Sequence, residues 1–144
     1  MLSNTSRYAI RAVIYLALHV KENSKIGIKE ISKELDIPTP FLGKILQTLA
    51  KHKLLTSTKG PHGGFGMEIN PYEISLMSIV EIIDGPDDFN ACVLGLKTCS
   101  EDQAHCSIHR NYAELREKLK ELFQTENIGS LADHIKENSF SLVL

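Results

Sequence analysis

The sequence lacks the features that would place it in a membrane, in an oxidising compartment or among unfolded chains. No segment approaches the roughly 20 consecutive apolar residues of a membrane span. The apolar stretch from Ala12 to Val20 is short and contains His19, and Arg7 and Arg11 interrupt the region before it. It therefore does not read as a targeting signal. Low-complexity tracts are absent, and an apolar fraction of 42% over 144 residues supports a packed core. There are only three cysteines, an odd count that argues against a pure disulfide framework. These absences lead to the expectation of a cytoplasmic protein with no membrane partner.

The net charge of −2 hides an asymmetry. Residues 1–66 hold ten Lys/Arg and four acids, a balance of +6, whereas residues 67–144 hold six and fourteen, a balance of −8. A basic half joined to an acidic half is the footprint expected when only the first half meets phosphate. Ordinary solvated faces are the plainer explanation for charge alone.

The basic half is organised as short helices. Ala9, Ala12, Val13, Leu16, Ala17 and Val20 recur at helical spacing, which predicts a first helix over 5–21 with several possible caps between Ser3 and Ser6. Ile28, Ile31 and Leu35 predict a second over 28–35, and Asp36-Ile37-Pro38 a turn. A third helix is expected from Thr39, with Thr39 as cap and Pro40 in the first helical position. Leu42, Ile45, Leu46 and Leu49 form its buried stripe, and Gly43, Lys44, Gln47 and Lys51 its outer face. Two short helices joined by a tight turn, the second amphipathic, form the helix-turn-helix pattern, although a generic helical hairpin shares it. Residues 54–59 and 65–69, separated by Gly60-Pro61-His62-Gly63-Gly64, predict a β-hairpin in the place of a wing. Its glycines would let backbone N–H groups approach phosphate closely.

Ser75 is expected to cap a fourth helix that ends at Gly85-Pro86. Residues 86–106 then form a loop without periodicity, uncommon unless functional or disordered. A long helix follows from Ser107, with Ile108, Tyr112, Leu115, Leu119 and Leu122 spaced as a heptad seam. That seam predicts a homodimer in preference to packing on the same chain, and a two-fold dimer would present two recognition helices to a palindromic operator. A short terminal helix is expected near 130–137. The expected architecture is mainly α with a small β-hairpin. It divides into a winged helix-turn-helix domain over 1–85, a cysteine-bearing cluster-binding loop over 86–106, and a dimerisation helix with a C-terminal segment over 107–144.

All three cysteines fall in that loop. Cys92, Cys99 and Cys106 have six residues between neighbours, and His109 follows the last with two between. Three thiolates and an imidazole so close can close around one metal centre. Thiolates favour iron–sulfur clusters, zinc or copper(I). Histidine in place of one thiolate on a [2Fe–2S] cluster raises its potential, which suits a sensor. Zinc also takes a Cys3His set, but usually with ligand pairs closer together. Bare thiols on a loop, with His109 exposed at a helix start, are the remaining explanation. His105 competes as a ligand but adjoins Cys106.

These residues together resemble the Rrf-two family of bacterial winged-helix regulators, with its IscR-like and NsrR-like branches. The resemblance rests on Ser6-Arg7-Tyr8-Ala9 and Leu16-Ala17, on Ile28-Lys29-Glu30-Ile31-Ser32, and on Phe41-Leu42 with Ile45, Leu46 and Leu49. It continues through Lys59-Gly60-Pro61-His62-Gly63-Gly64-Phe65, Ile79 to Gly85, the cysteine loop and Ser130-Leu131-Ala132-Asp133. It implies a dimeric DNA-binding transcription factor, a repressor in the simplest case, whose cluster state alters operator binding. In the IscR-like branch a histidine three residues after the last cysteine completes a [2Fe–2S] site, and His109 matches it. In the NsrR-like branch an acidic helix-1 residue ligates a [4Fe–4S] cluster, and that position here is Tyr8. The family's cysteine gaps are commonly five residues, shorter than the six here.

The DNA contacts implied are Thr39, Phe41, Lys44 and Gln47 at the recognition helix and Lys59, His62, Gly63 and Gly64 at the wing. Lys44 and Gln47 would reach base edges, while Lys59 and the wing amides would hold phosphates. The second functional reading is a winged-helix regulator without a cluster, sensing through thiol oxidation or a partner protein bound to the acidic half. An enzyme with a small-molecule substrate is not expected, because a nucleophilic cysteine needs a nearby base and an oxyanion site.

Overall fold

The computed structural model describes residues 2–96 and 107–143. Its centre is α1 (Asn4–His19), whose buried row includes Ala9, Ala12, Val13 and Leu16. Small alanines on that row let neighbouring helices approach closely. Ser3 is the cap: its Oγ accepts the Ser6 N–H at 3.0 Å and donates to Asp84 at 2.5 Å. Ser6 Oγ donates to the same carboxylate at 2.7 Å, so one acid ties the start of α1 to the end of α4.

Helix α2 (Ile28–Leu35) buries Ile31 and Leu35. It stops because Asp36 takes a left-handed conformation, φ 52°, and turns the chain. Helix α3 (Thr39–Lys51) follows and buries Leu42, Ile45, Leu46 and Leu49. Each fully buried leucine there stabilises the fold by about 1.5–3 kcal/mol. Thr39 does not cap α3 as expected; Pro38 occupies that position, and its carbonyl accepts the amides of Phe41 and Leu42. The Thr39 hydroxyl donates instead to Ser32 Oγ at 2.8 Å, which donates to the Ile37 carbonyl at 2.6 Å. A backbone carbonyl starts the helix, and the hydroxyl is spent holding α2, turn and α3 together.

Strands β1 (Leu55–Thr58) and β2 (Gly64–Met67) pair antiparallel, Leu55 opposite Met67 and Thr58 opposite Gly64. They are shorter at the outer ends than the sequence pattern suggests. Helix α4 (Leu76–Ile83) begins at Ser75, whose Oγ accepts the Ser78 N–H at 3.1 Å. The following loop is not structureless from its start. A single 3₁₀ turn over Asp88–Asn90 buries Phe89 against Phe123, with ring centroids 5.4 Å apart.

Helix α5 (Ser107–Thr125) leads into α6 (Ile128–Asn138). The latter starts two residues before its expected position, because Asn127 supplies the cap to the Ser130 N–H at 2.9 Å. Helix α6 folds back onto α1. Two backbone bonds stitch the join, Leu76 N–H to the Glu126 carbonyl at 3.0 Å and Ile128 N–H to the Ile74 carbonyl at 2.9 Å. Gly129 lies under the Tyr72 ring, where a Cβ would come within 2.5 Å of ring carbon. The Tyr72 hydroxyl donates to Asp133, which raises the tyrosine's pKa. Among the described residues no helix is long and apolar enough to cross a membrane.

Candidate DNA interface and metal centre

With Leu42, Ile45, Leu46 and Leu49 turned inward, the opposite side of α3 carries Lys44, Gln47 and Lys51 exposed. Phe41 is 37% exposed and meets Tyr8 edge to face, with centroids 5.6 Å apart. Tyr8 is in turn covered by the Arg11 guanidinium, 5.6 Å above its ring. Arg11 also donates to the carbonyls of Leu35, at 2.9 Å, and Leu142. Partial burial lowers the pKa of Arg11, and Tyr8 and Asp36 act the other way. The first turn of the recognition helix is therefore braced from α1, a support that sequence reading did not foresee.

The wing is fastened at its base. Ile26 exchanges two backbone bonds with Phe65, both 2.9 Å, so the residues before α2 form a third short rung on the hairpin. This explains Gly64: a Cβ there would lie 2.3 Å from the Ile26 carbonyl oxygen. Gly64 is buried by that contact. The Gly63 amide donates to the Gly60 carbonyl at 2.9 Å, and a Cβ on Gly63 would meet the Thr58 carbonyl oxygen at 2.1 Å. Both glycines thus have a folding reason of their own. Lys59, Gly60, Pro61 and His62 form the exposed tip. Lys25 bonds to Thr58 across the wing's edge.

Between these parts runs an open groove lined by Lys29 and Ile28 from α2, Gln47 from α3, and Ser57, Lys59 and Gly63 from the wing. Its donors come from three elements and include two lysines. Lys29 and Ser57 were missed in the sequence because only the folded chain brings the start of α2 beside the wing.

The metal-ligand candidates divide. Cys99 and Cys106 lie outside the described residues. Cys92, in the loop after α4, and His109, in the first turn of α5, are both half-buried and line one pocket. Its other walls are Ala91, Val93, Leu94, Leu96, Ile108, Tyr112 and Arg116. A thiol and an imidazole are both soft-metal donors, and here they line the same mostly aliphatic hollow. Among the described residues no group of three or more His, Cys, Asp or Glu side chains could hold a metal ion, so Cys92 and His109 alone do not make a site.

The expected seam on α5 separates into two rows. Tyr112, Arg116, Leu119 and Phe123 turn toward the protein, with Arg116 and Phe123 buried. Ile108, Leu115 and Leu122, seven residues apart, stay 46%, 62% and 49% exposed. On the polar flank Lys120 donates to Asn90 at 2.7 Å and to Glu117 at 3.1 Å. The bond from Lys120 holds the Glu117 carboxyl below the usual range; slight burial opposes this, and the charges of Lys120 and Arg116 reinforce it.

Comparison with known proteins now adds to this geometry. A family model described as an iron-dependent transcriptional regulator, Rrf2, matches residues 2–134. An Aquifex aeolicus protein named as an HTH-type transcriptional regulator is 32% identical over 139 residues, covering 96% of this chain and 95% of its own. The transcriptional regulator IscR of Vibrio cholerae is 26% identical over 130 residues, 90% of this chain and 73% of its own. Two solved structures share the fold. CymR, the global cysteine regulator of B. subtilis, superposes with a TM-score of 0.74 at 21% identity, over 93% of this chain and 97% of its own. T. potens IscR superposes with 0.74 at 18% identity, over 98% and 92%. With the family match running through winged helix, loop and C-terminal helices alike, the chain belongs to the Rrf2 family of DNA-binding transcriptional regulators and is not an enzyme.

Proposed function

We propose that this regulator reads iron, redox or nitric oxide status through an iron–sulfur cluster, [2Fe–2S], held by Cys92, Cys99, Cys106 and His109. The observation that supports the reading is that Cys92 and His109 line one pocket of a regulator whose four soft donors lie within eighteen residues. When bound, such a cluster supplies a reversible one-electron couple and a target for oxidants and nitric oxide. The residues of the chain do the rest. Cys92 and His109 anchor the two ends of the loop to α5 and its neighbours, so that a change at the centre is felt by the helix that carries the exposed apolar row. Ile108, Leu115 and Leu122 are the contact row of a homodimer. Two copies related by a two-fold axis set two α3 helices against successive major grooves of a palindromic operator.

In that complex Lys44 and Gln47 reach base edges, and Thr39 and Phe41 position the start of the helix. Lys59, His62 and the backbone at Gly63 and Gly64 lie against the phosphates, joined by Lys29. The protein works in the bacterial cytoplasm at the nucleoid and acts as a repressor.

The test is the visible spectrum of protein purified without oxygen, with iron and sulfide counted on the same sample. Charge-transfer bands with about two irons and two sulfides per chain are expected of a [2Fe–2S] centre, and His109→Ala should change the spectrum. Iron-free protein after attempted reconstitution would move sensing to thiol oxidation, zinc or a partner protein.

A further inference from the structure

Arg11 stands where α1, the end of α2 and the segment after α6 meet. It lies three residues after Tyr8 on the same face of α1, and its guanidinium covers the Tyr8 ring at 5.6 Å. Its Nη2 donates to the Leu35 carbonyl at 2.9 Å. Leu35 closes α2, and its carbonyl is one of those that a helix leaves without an internal partner. A cation is favoured there by the helix dipole and by the charge of Asp36. Its Nε donates to the Leu142 carbonyl. Leu142 belongs to the segment after α6, which Ser139 turns back with a left-handed φ of 53°. In that segment Phe140 and Val143 are exposed, while Leu142 packs against the core. Serving two carbonyls and a ring face at once suits a planar guanidinium better than a compact ammonium.

Tyr8 in turn meets the edge-to-face partner Phe41, the third residue of α3. Phe41 is exposed, so burial in the core does not fix it. The start of α3 has no side-chain cap. Its first turn is held instead by the Thr39–Ser32 bond on one side and by this ring contact on the other. We propose that Arg11 is a positioning residue for operator recognition: tied to Leu35 and Leu142, it holds Tyr8 against Phe41 and so fixes the first turn of α3 for its contact with base edges. The inference rests on the reading of α3 as the helix that meets the operator, where the first turns of a recognition helix make the base contacts. On this reading Arg11 touches no DNA and acts through the two rings. The segment after α6 gains a part in DNA recognition, although it lies outside the winged helix.

The probe is a DNA duplex selected by the wild-type protein from a random library, set beside a scrambled duplex of the same composition. Full-length wild type, Arg11→Met, Arg11→Lys, Tyr8→Leu and Leu142→Ser are compared, all purified in the same way without oxygen. Arg11→Met and Tyr8→Leu are each expected to bind the selected duplex about tenfold more weakly. Binding to the scrambled duplex and the slope of log affinity against log salt should stay unchanged, because no phosphate contact is lost. Arg11→Lys keeps the charge but not the planar fork and should lose about threefold. Leu142→Ser should lose a similar factor, and adding it to Arg11→Met should weaken binding no further. Melting of each protein measures any purely structural loss, which would leave the ratio of selected to scrambled binding as it is in wild type. Tyr8→Leu keeps both carbonyl bonds, and it decides the matter if Arg11→Met does not fold. A wild-type ratio in Arg11→Met or in Tyr8→Leu overturns the inference. A slope lower by about one unit in Arg11→Met also overturns it, since Arg11 would then hold a phosphate itself. Additive losses from Arg11→Met and Leu142→Ser break the link to the segment after α6. If Lys44→Ala binds the selected duplex as tightly as wild type, it is the α3 reading that fails, and the role of Arg11 falls with it.

Discussion

The winged-helix part of the chain and the stretch from Ala91 through α5 are built to different standards of closure. In α2, α3 and the wing Ile31, Leu35, Leu42, Ile45, Leu46, Leu49, Leu55 and Phe65 are buried, Phe41 being the exposed exception among the large apolar side chains, and the hydroxyls of Thr39 and Ser32 bond inside the unit. What it shows to solvent is charge and amide: Lys29, Lys44, Gln47 and Lys59. The stretch from Ala91 through α5 does the reverse. Val93, Leu94, Leu96, Ile108, Leu115 and Leu122 are exposed, while an arginine is buried. Exposed apolar rows and buried charge each cost stability in an isolated chain. On the function proposed above, a second copy would cover the outer apolar row of α5. The difference teaches that helical spacing alone does not say whether an apolar row closes a core or stays at the surface: the stripe of α3 is buried, and the outer row of α5 is exposed.

That contrast can be broken in several ways. The largest effect belongs to Leu46→Ala, which opens a cavity in a fully buried site and should cost about 2–5 kcal/mol. Because α6 packs on α1, calorimetry should show the whole chain melting in one earlier transition; a second, unmoved transition would mean that the two halves fold separately. Next is Leu115→Glu, which sets a charge in the centre of the exposed row. Sedimentation should show dimer dissociation rising by at least about a hundredfold, near 2.7 kcal/mol, with the melting of the monomer little changed. An unaltered dimer would place the contact elsewhere. Lys44→Ala should weaken operator binding by about 1–2 kcal/mol and relax the preference at one base pair, read by competition between operator variants. The smallest effect is that of Lys59→Ala. It should reduce the slope of log affinity against log salt by about one unit while leaving base preference alone. An unchanged slope removes Lys59 from the phosphate contacts.

The course of α2 over 28–35, the turn at Asp36-Ile37-Pro38 and the inward stripe of α3 were legible because they depend on residues within one or two turns of each other. The Ser75 cap was legible for the same reason. Thr39 shows where local reading stops. A threonine before a proline is a good cap by rule, yet here its hydroxyl serves a neighbour seven positions back that only the folded turn brings near. Gly63 and Gly64 look like groups freed to meet phosphate, and the fold reveals a second cause, the carbonyls of Thr58 and Ile26 against them. The α5 seam is correct in its period but hides two faces, since spacing cannot say which row meets its own chain.

The sequence by itself determined the order of helices and hairpin, the side of α3 that faces away from the core, and the set of soft donors. Those follow from periodicity and side-chain chemistry, which act locally. Only the tertiary structure decided that α6 returns to α1, that Lys29 and Ser57 join the groove, that Phe89 pins the loop on Phe123, and that Arg116 lies buried beside Cys92 and His109. Each of these depends on a contact between distant segments, and such contacts are selected by the packing of the whole core rather than by any residue's own preference.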